Sequence, residues 1–183
     1  MKKIKKNYSL KNITEKKIWE SENIFHLKTD VSRYGKFLTH YEIYKKILTV
    51  PGDIIECGVF KGTSFARFAM FRETLGNSTS AKLIAFDVFS DEYPDTDFEE
   101  DQDQRNSWIA RAGASSISTS QLEETFNKKN ITNFELIAGN ILETIPIYVK
   151  KHPELRISLL NIDLDFVEPV QCVLEHFYDR MAP

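Results

Sequence analysis

The stretch Gly52-Asp53-Ile54-Ile55-Glu56-Cys57-Gly58-Val59-Phe60-Lys61-Gly62-Thr63-Ser64 sets an acid two residues before one glycine, with a second glycine four residues further on. Glycines here let backbone approach a bound molecule closely, because a residue without Cβ leaves the room. Three other places concentrate polar groups: Asp87 after Lys82-Leu83-Ile84-Ala85-Phe86, Gly139-Asn140-Ile141 after Phe134 to Ala138, and Asp163-Leu164-Asp165 after Ile157 to Ile162. A carboxylate offers two acceptor oxygens and can take up a proton. On an extended segment, Asp163 and Asp165 would point to opposite faces, so one ion would not meet both unless the strand has already ended.

The preceding runs are short, nearly all apolar and bounded by turn residues, as buried strands are. Strands are expected at Asp53 to Cys57, Lys82 to Phe86, Phe134 to Ala138 and Ile157 to Ile162. Between them lie helical patterns: one capped by Thr63-Ser64 and stopped at Gly76-Asn77, one at about Ser120 to Asn130, one opened around Pro146, and one begun at Gln171 to Phe177. Two surface helices precede them, at about Thr14 to Phe25 and Tyr34 to Leu48. In the second, Phe37, Tyr41, Tyr44 and Leu48 share a face suited to core packing. Strands alternating with helices predict an α/β fold, a parallel sheet covered on both faces. Such sheets bind ligands outside the carboxyl ends of their strands, where Glu56, Gly58, Asp87, Gly139, Asn140, Asp163 and Asp165 all fall. The polar stretch Ser90 to Ser118 is too long for an ordinary connection and predicts an insertion or lid, with Tyr93, Phe98 and Trp108 available to pack on a ligand.

Composition excludes several classes. With 183 residues, 42% of them hydrophobic, the chain has the material for one globular core. A net charge of −3 gives no global attraction to nucleic acid. The seven lysines between Met1 and Lys17 read as a solvated terminus. No apolar run approaches a membrane span, and the isolated Cys57 and Cys172 form neither a zinc motif nor a disulfide framework, which fits a reduced, cytoplasmic setting.

The glycine turn, with its acid, resembles the first motif of class I S-adenosylmethionine (SAM)-dependent methyltransferases, which have a Rossmann-like fold. A nicotinamide dinucleotide fold is the competing reading, but it would usually show G-x-G-x-x-G. Here three residues separate Gly58 from Gly62, and Phe60 stands where a pyrophosphate would need glycine. A closer resemblance is to the macrocin-type (TylF-like) sugar O-methyltransferases. It runs from about Tyr34 to Pro183, on Glu56 to Gly62, Phe86-Asp87-Val88-Phe89, Gly139 to Pro146 and Asn161 to Pro169. Phe166 replaces the family's usual tyrosine, and Val170 stands near a common hydroxyl residue.

The resemblance implies that Glu56, Gly58, Val59, Phe60, Gly62, Thr63, Ser64, Asp87, Val88, Asn140 and Ile141 hold SAM. Within that set, Glu56 answers the amino-acid end, Asp87 the ribose hydroxyls, and Asn140-Ile141 the adenine. It further implies a divalent ion, usually magnesium, with Asp163 as ligand, and Asp165 as its support or as a base. The implied reaction is methyl transfer to a hydroxyl of a sugar, sugar nucleotide or related small molecule. The implied organisation is a helical segment at 1–50 and a SAM-binding domain at 51–183, stopping before a fifth strand. A homo-oligomer is compatible with it. The rival from another class is a SAM- or nucleotide-binding module without turnover, and no residue selects the acceptor.

Overall fold

A computed structural model describes residues 9–76, 81–95 and 99–183; most of the amino-terminal lysine run, Asn77 and Phe98 lie outside the described residues. Two helices lead, α1 (Glu15–Lys28) and α2 (Val31–Lys46), and then strands and helices alternate. They are β1 (Asp53–Cys57), α3 (Thr63–Leu75), β2 (Leu83–Asp87), α4 (Glu99–Ala112), α5 (Thr119–Lys128), β3 (Phe134–Ala138), α6 (Ile141–Lys151), β4 (Ile157–Ile162) and α7 (Val167–Phe177). The strands form one parallel sheet in the order β3-β2-β1-β4. The chain steps outward from β1 through β2 to β3, then crosses back to place β4 on the other side of β1. That reversal opens a crevice at the carboxyl ends of β1 and β4, the usual ligand position in such sheets.

Side-chain alternation splits the core into two layers. Ile54, Leu83, Ala85 and Leu159 face a cluster with Tyr44 of α2, Phe65 and Phe68 of α3, and Leu122 and Phe126 of α5. Ile55, Cys57, Ile84, Phe86 and Ile157 face the other, with Ile145 and Tyr148 of α6 and Val173 and Phe177 of α7. The register of β1 on β4 slips between Asp53 and Ile54. Ser158, the extra residue there, turns its hydroxyl onto the carbonyls of Gly52 and Asp53. The α2 stripe packs on α3: Phe37, Tyr41 and Tyr44 all contact the Phe71 ring at 5.7–5.8 Å. By contrast, α1 buries none of its residues. At the other edge, Met181 makes a single parallel bridge to Ile157 beside β4.

Three expectations about helices need correcting. Thr63 and Ser64 lie inside the first turn of α3, whose cap is Gly62, with no side-chain bond. Helix α6 begins at Ile141 rather than at Pro146, because the Asn140 side chain accepts the Leu142 N–H and caps it; Pro146 sits inside that helix. Helix α7 starts at Val167, with Pro169 tolerated in its first turn. The polar stretch after β2 contains the regular helix α4, rich in Glu, Gln, Arg and Ala, which favour helix.

Candidate functional site

A cavity of about 690 Å³ opens at the carboxyl ends of the strands. Of the residues singled out in the sequence, Gly58, Phe60, Asp87, Val88, Asn140, Ile141, Asp163 and Asp165 line it. Glu56, Val59, Gly62, Thr63 and Ser64 do not: Glu56, Val59, Gly62 and Ser64 are buried behind the wall, and Thr63 is exposed. The lining carboxylates are Asp87, Glu92, Asp95, Asp163, Asp165 and Glu168, and no Lys or Arg lines it among the described residues.

One carboxylate organises the floor. Asp87 Oδ2 accepts the N–H groups of Val59 (2.6 Å) and Phe60 (2.8 Å), and Oδ1 accepts that of Phe89 (2.9 Å). The β1–α3 turn is thereby locked to the end of β2, and Phe60 is held at φ 50°, a conformation that bulky residues rarely adopt. Oδ2 is filled by its two donors, whereas Oδ1 keeps a second lone pair for a ligand. Across the turn, the Asp163 carbonyl crowds Gly58, whose φ is +88°. A Cβ added there would overlap that carbonyl oxygen and lie 2.8 Å from its carbon.

Glu56 is fully buried, and burial pushes its carboxyl up to about 8. The Ser64 hydroxyl donates to its Oε1 at 2.6 Å, a partner in place of the expected helix cap. Asn161 lies opposite it across β1 and β4, and its amide favours the ionised form; yet neither Glu56 Oε2 nor Asn161 Nδ2 completes a hydrogen bond. Lys36 also favours ionisation, while Asp163 opposes it.

Strand β4 ends at Ile162, so strand alternation no longer separates Asp163 from Asp165, and both reach the cavity. Asp163 Oδ2 is paired with Lys36 Nζ of α2 at 2.7 Å, and Asp165 accepts the Tyr93 hydroxyl. Burial raises the Asp165 carboxyl, and Lys36 partly offsets this. Among the described residues no cluster of three or more His, Cys, Asp or Glu is arranged to hold a metal ion. A lone carboxylate already paired with a lysine does not fit magnesium, which wants several oxygen ligands.

The Ser90 to Ser118 segment is fastened along one wall. Phe60 meets the Tyr93 and Trp108 rings, each at 6.0 Å. The Phe60 carbonyl accepts from Ile117 N–H and Ser116 Oγ, and Lys61 Nζ reaches the Ala112 carbonyl. Arg105 of α4 donates to the carbonyls of Pro94 (2.6 Å) and Tyr93 (3.2 Å). Sequence reasoning missed Lys36 and Arg105 altogether, and took Asn161 only as the first residue of the Asn161 to Pro169 stretch, without its place beside Glu56. The isolation of Tyr93 and Trp108 in an acidic stretch was the available signal for those two.

No curated protein matches the chain in sequence. Among the solved structures similar to it are two of CalS11 and one of NovP. The crystal structure of CalS11, a calicheamicin methyltransferase, has TM-score 0.71 and 26% identity, over 90% of this chain and 66% of that one. The apo structure of CalS11, described as a TDP-rhamnose 3′-O-methyltransferase of calicheamicin biosynthesis, has TM-score 0.66 and 23% identity, over 90% and 66%. The O-methyltransferase NovP has TM-score 0.65 and 18% identity, over 80% and 60%. At the two lower identities the likeness is one of fold. The chain spans 60–66% of the length of these proteins. The family model for macrocin-O-methyltransferase (TylF) matches residues 41–183. With most of its length under that model, the chain belongs to the TylF macrocin-O-methyltransferase family.

Proposed function

We propose that the chain carries the SAM-binding and acceptor-facing half-site of an O-methyltransferase acting on a hydroxyl of a sugar or related small molecule. The observation that carries this reading is the Asp87 carboxylate. It ties the Gly58–Phe60 backbone to the end of β2 while facing the same cavity as Asp163 and Asp165. The residues fit SAM: the cradle at Gly58 admits no Cβ, and the orphaned Glu56 Oε2 is a buried acceptor without a donor. Glu56, with Ser64, Thr63 and Gly62 at the start of α3, would serve the amino-acid end. Val59 and Phe60 would supply backbone, Asp87 and Val88 would meet the ribose, and Asn140 and Ile141 the adenine. Bound there, the cofactor supplies an electrophilic methyl group on sulfur.

The protein's part is alignment, since displacement from a sulfonium has a good leaving group. Asp165 takes the acceptor proton as the new O–C bond forms and the S–C bond breaks; its burial makes it a stronger base than an exposed aspartate. The tethered segment excludes water. Magnesium assistance is implied by the family resemblance, but Asp163, paired with Lys36, is its one expected ligand among the described residues. The same proposal takes residues 51–183 as the cofactor domain, a cytoplasmic setting and a homo-oligomer.

Calorimetry with SAM and S-adenosylhomocysteine tests the binding half. Asp87→Ala should weaken affinity by roughly 1.5–3 kcal/mol, the scale of a charge-assisted bond. Equal affinity in the variant, or preference for NAD, would sink it. Methyl-labelled SAM offered with TDP-rhamnose, UDP-glucose and catechol tests turnover, and binding without any transfer would leave a binding module.

A further inference from the structure

We propose that Tyr93 is a positioning residue for the acceptor side: its hydroxyl fixes the rotation of the Asp165 carboxylate, so that the other oxygen is presented to the cavity. The inference rests on the methyl-transfer reading and adds a residue to it. Tyr93 and Asp165 stand 72 positions apart and meet across the cavity that both line. Asp165 lies between the end of β4 and the start of α7, outside both elements and two residues past the Asp163 N–H that the Cys57 carbonyl holds. A short side chain in such a segment needs an external partner to hold one orientation, and the donor on it is the Tyr93 hydroxyl.

Tyr93 is itself held from two sides. Its carbonyl and that of Pro94 accept from the Arg105 guanidinium, which anchors the turn to α4. Its ring stands edge-on to Phe60 at 76°. Phe60 in turn is fastened to Asp87 by its N–H and to Ile117 by its carbonyl. A chain of contacts thus runs from the floor carboxylate through two aromatic rings to the carboxylate that faces the acceptor. With Oδ2 engaged by the phenol, Oδ1 is left to accept the acceptor hydroxyl. Without the phenol, the carboxylate would rotate, and misplacement of about 1 Å is enough to cost roughly 100-fold in rate.

Tyr93→Phe keeps the ring and its contact with Phe60 and deletes only the hydroxyl. With labelled SAM and the acceptor panel above, the expected result for the full chain is a kcat lower by roughly 10- to 100-fold. SAM affinity by calorimetry and the urea midpoint should stay at wild-type values. In an Asp165→Asn background, removing the hydroxyl should change kcat no further, because residues acting as one unit are not additive. A merely structural role would instead lower the urea midpoint and spare the kcat of the folded protein. That result, an unchanged kcat, or additive losses would overturn the assignment of Tyr93 while leaving the methyl-transfer reading intact. A wild-type chain that binds no SAM, or methylates no member of the panel, would overturn that reading and the Tyr93 assignment with it.

Discussion

Replacing Gly58 by alanine separates backbone strain from close approach, because Gly76 provides a matched control. Both residues have φ near the same left-handed value, +88° and +85°, so alanine at either pays roughly 1–2 kcal/mol for the conformation. At Gly76 nothing lies within 4 Å of the added Cβ, and the backbone term is the whole cost. At Gly58 the Cβ would overlap the Asp163 carbonyl oxygen and sit 3.1 Å from Leu164 Cδ2. The Asp163 backbone cannot simply retreat, since its N–H is bonded to the Cys57 carbonyl at 2.9 Å. Overpacking against backbone adds roughly 1–3 kcal/mol, and breaking that bond about 1 kcal/mol. Gly58→Ala should therefore lose roughly 3–6 kcal/mol, against roughly 1–2 kcal/mol for Gly76→Ala. Urea unfolding of both variants beside the wild type measures the difference. Equal losses would refute the claim that the approach of the β4–α7 segment, rather than φ, makes glycine necessary at position 58.

The buried Arg72 guanidinium donates to the carbonyls of Ala81, Thr132 and Asn133, joining α3 to the starts of β2 and β3. Arg72→Met should cost roughly 3 kcal/mol or more, because three carbonyls are stranded at roughly 1–3 kcal/mol each; a loss under about 1 kcal/mol by urea unfolding would show that water replaces it. Stability should also depend on pH in two opposed ways. Glu56, raised from 4.5 to about 8, stabilises the fold fully below pH 4.5, and that contribution is lost as pH rises to 8. His40, lowered from 6.5 to about 4 by burial and then by Arg67 and Lys36, costs stability as pH falls from 6.5 towards 4. The urea midpoint should hence decline between pH 6.5 and 8, and Glu56→Gln should flatten the decline; a wild-type midpoint rising across that interval contradicts the assignment.

Much of the fold was legible because the strands are short apolar runs ended by glycine or acid. Asp53–Cys57 and Phe134–Ala138 appear with the expected bounds. The helix starts were less legible. Thr63-Ser64 looks like a cap by residue type, but the hydroxyl at 64 is claimed by Glu56, a partner eight residues back that no local pattern reveals. Pro146 looks like a first-turn residue, yet Asn140 caps the helix before it. The candidate site divides in the same way. Its glycines and strand-end acids carry local signatures, whereas Lys36 on Asp163, Asn161 beside Glu56 and Tyr93 on Asp165 are contacts between distant segments. Their residue types are ordinary at those positions, and only the path of the chain brings them together.

The acid-lined wall has a consequence for the end of a reaction cycle. Under the methyl-transfer reading the cofactor arrives with a positive sulfur and leaves as a neutral thioether. A cavity whose lining charges are Asp87, Glu92, Asp95, Asp163, Asp165 and Glu168 attracts the first more than the second. The same field that draws the charged cofactor in relaxes its hold once the charge is spent, and it sets a higher toll on an acceptor that brings phosphates into this wall. Raising ionic strength would then narrow the gap in affinity between SAM and S-adenosylhomocysteine, as screening weakens the field that tells them apart.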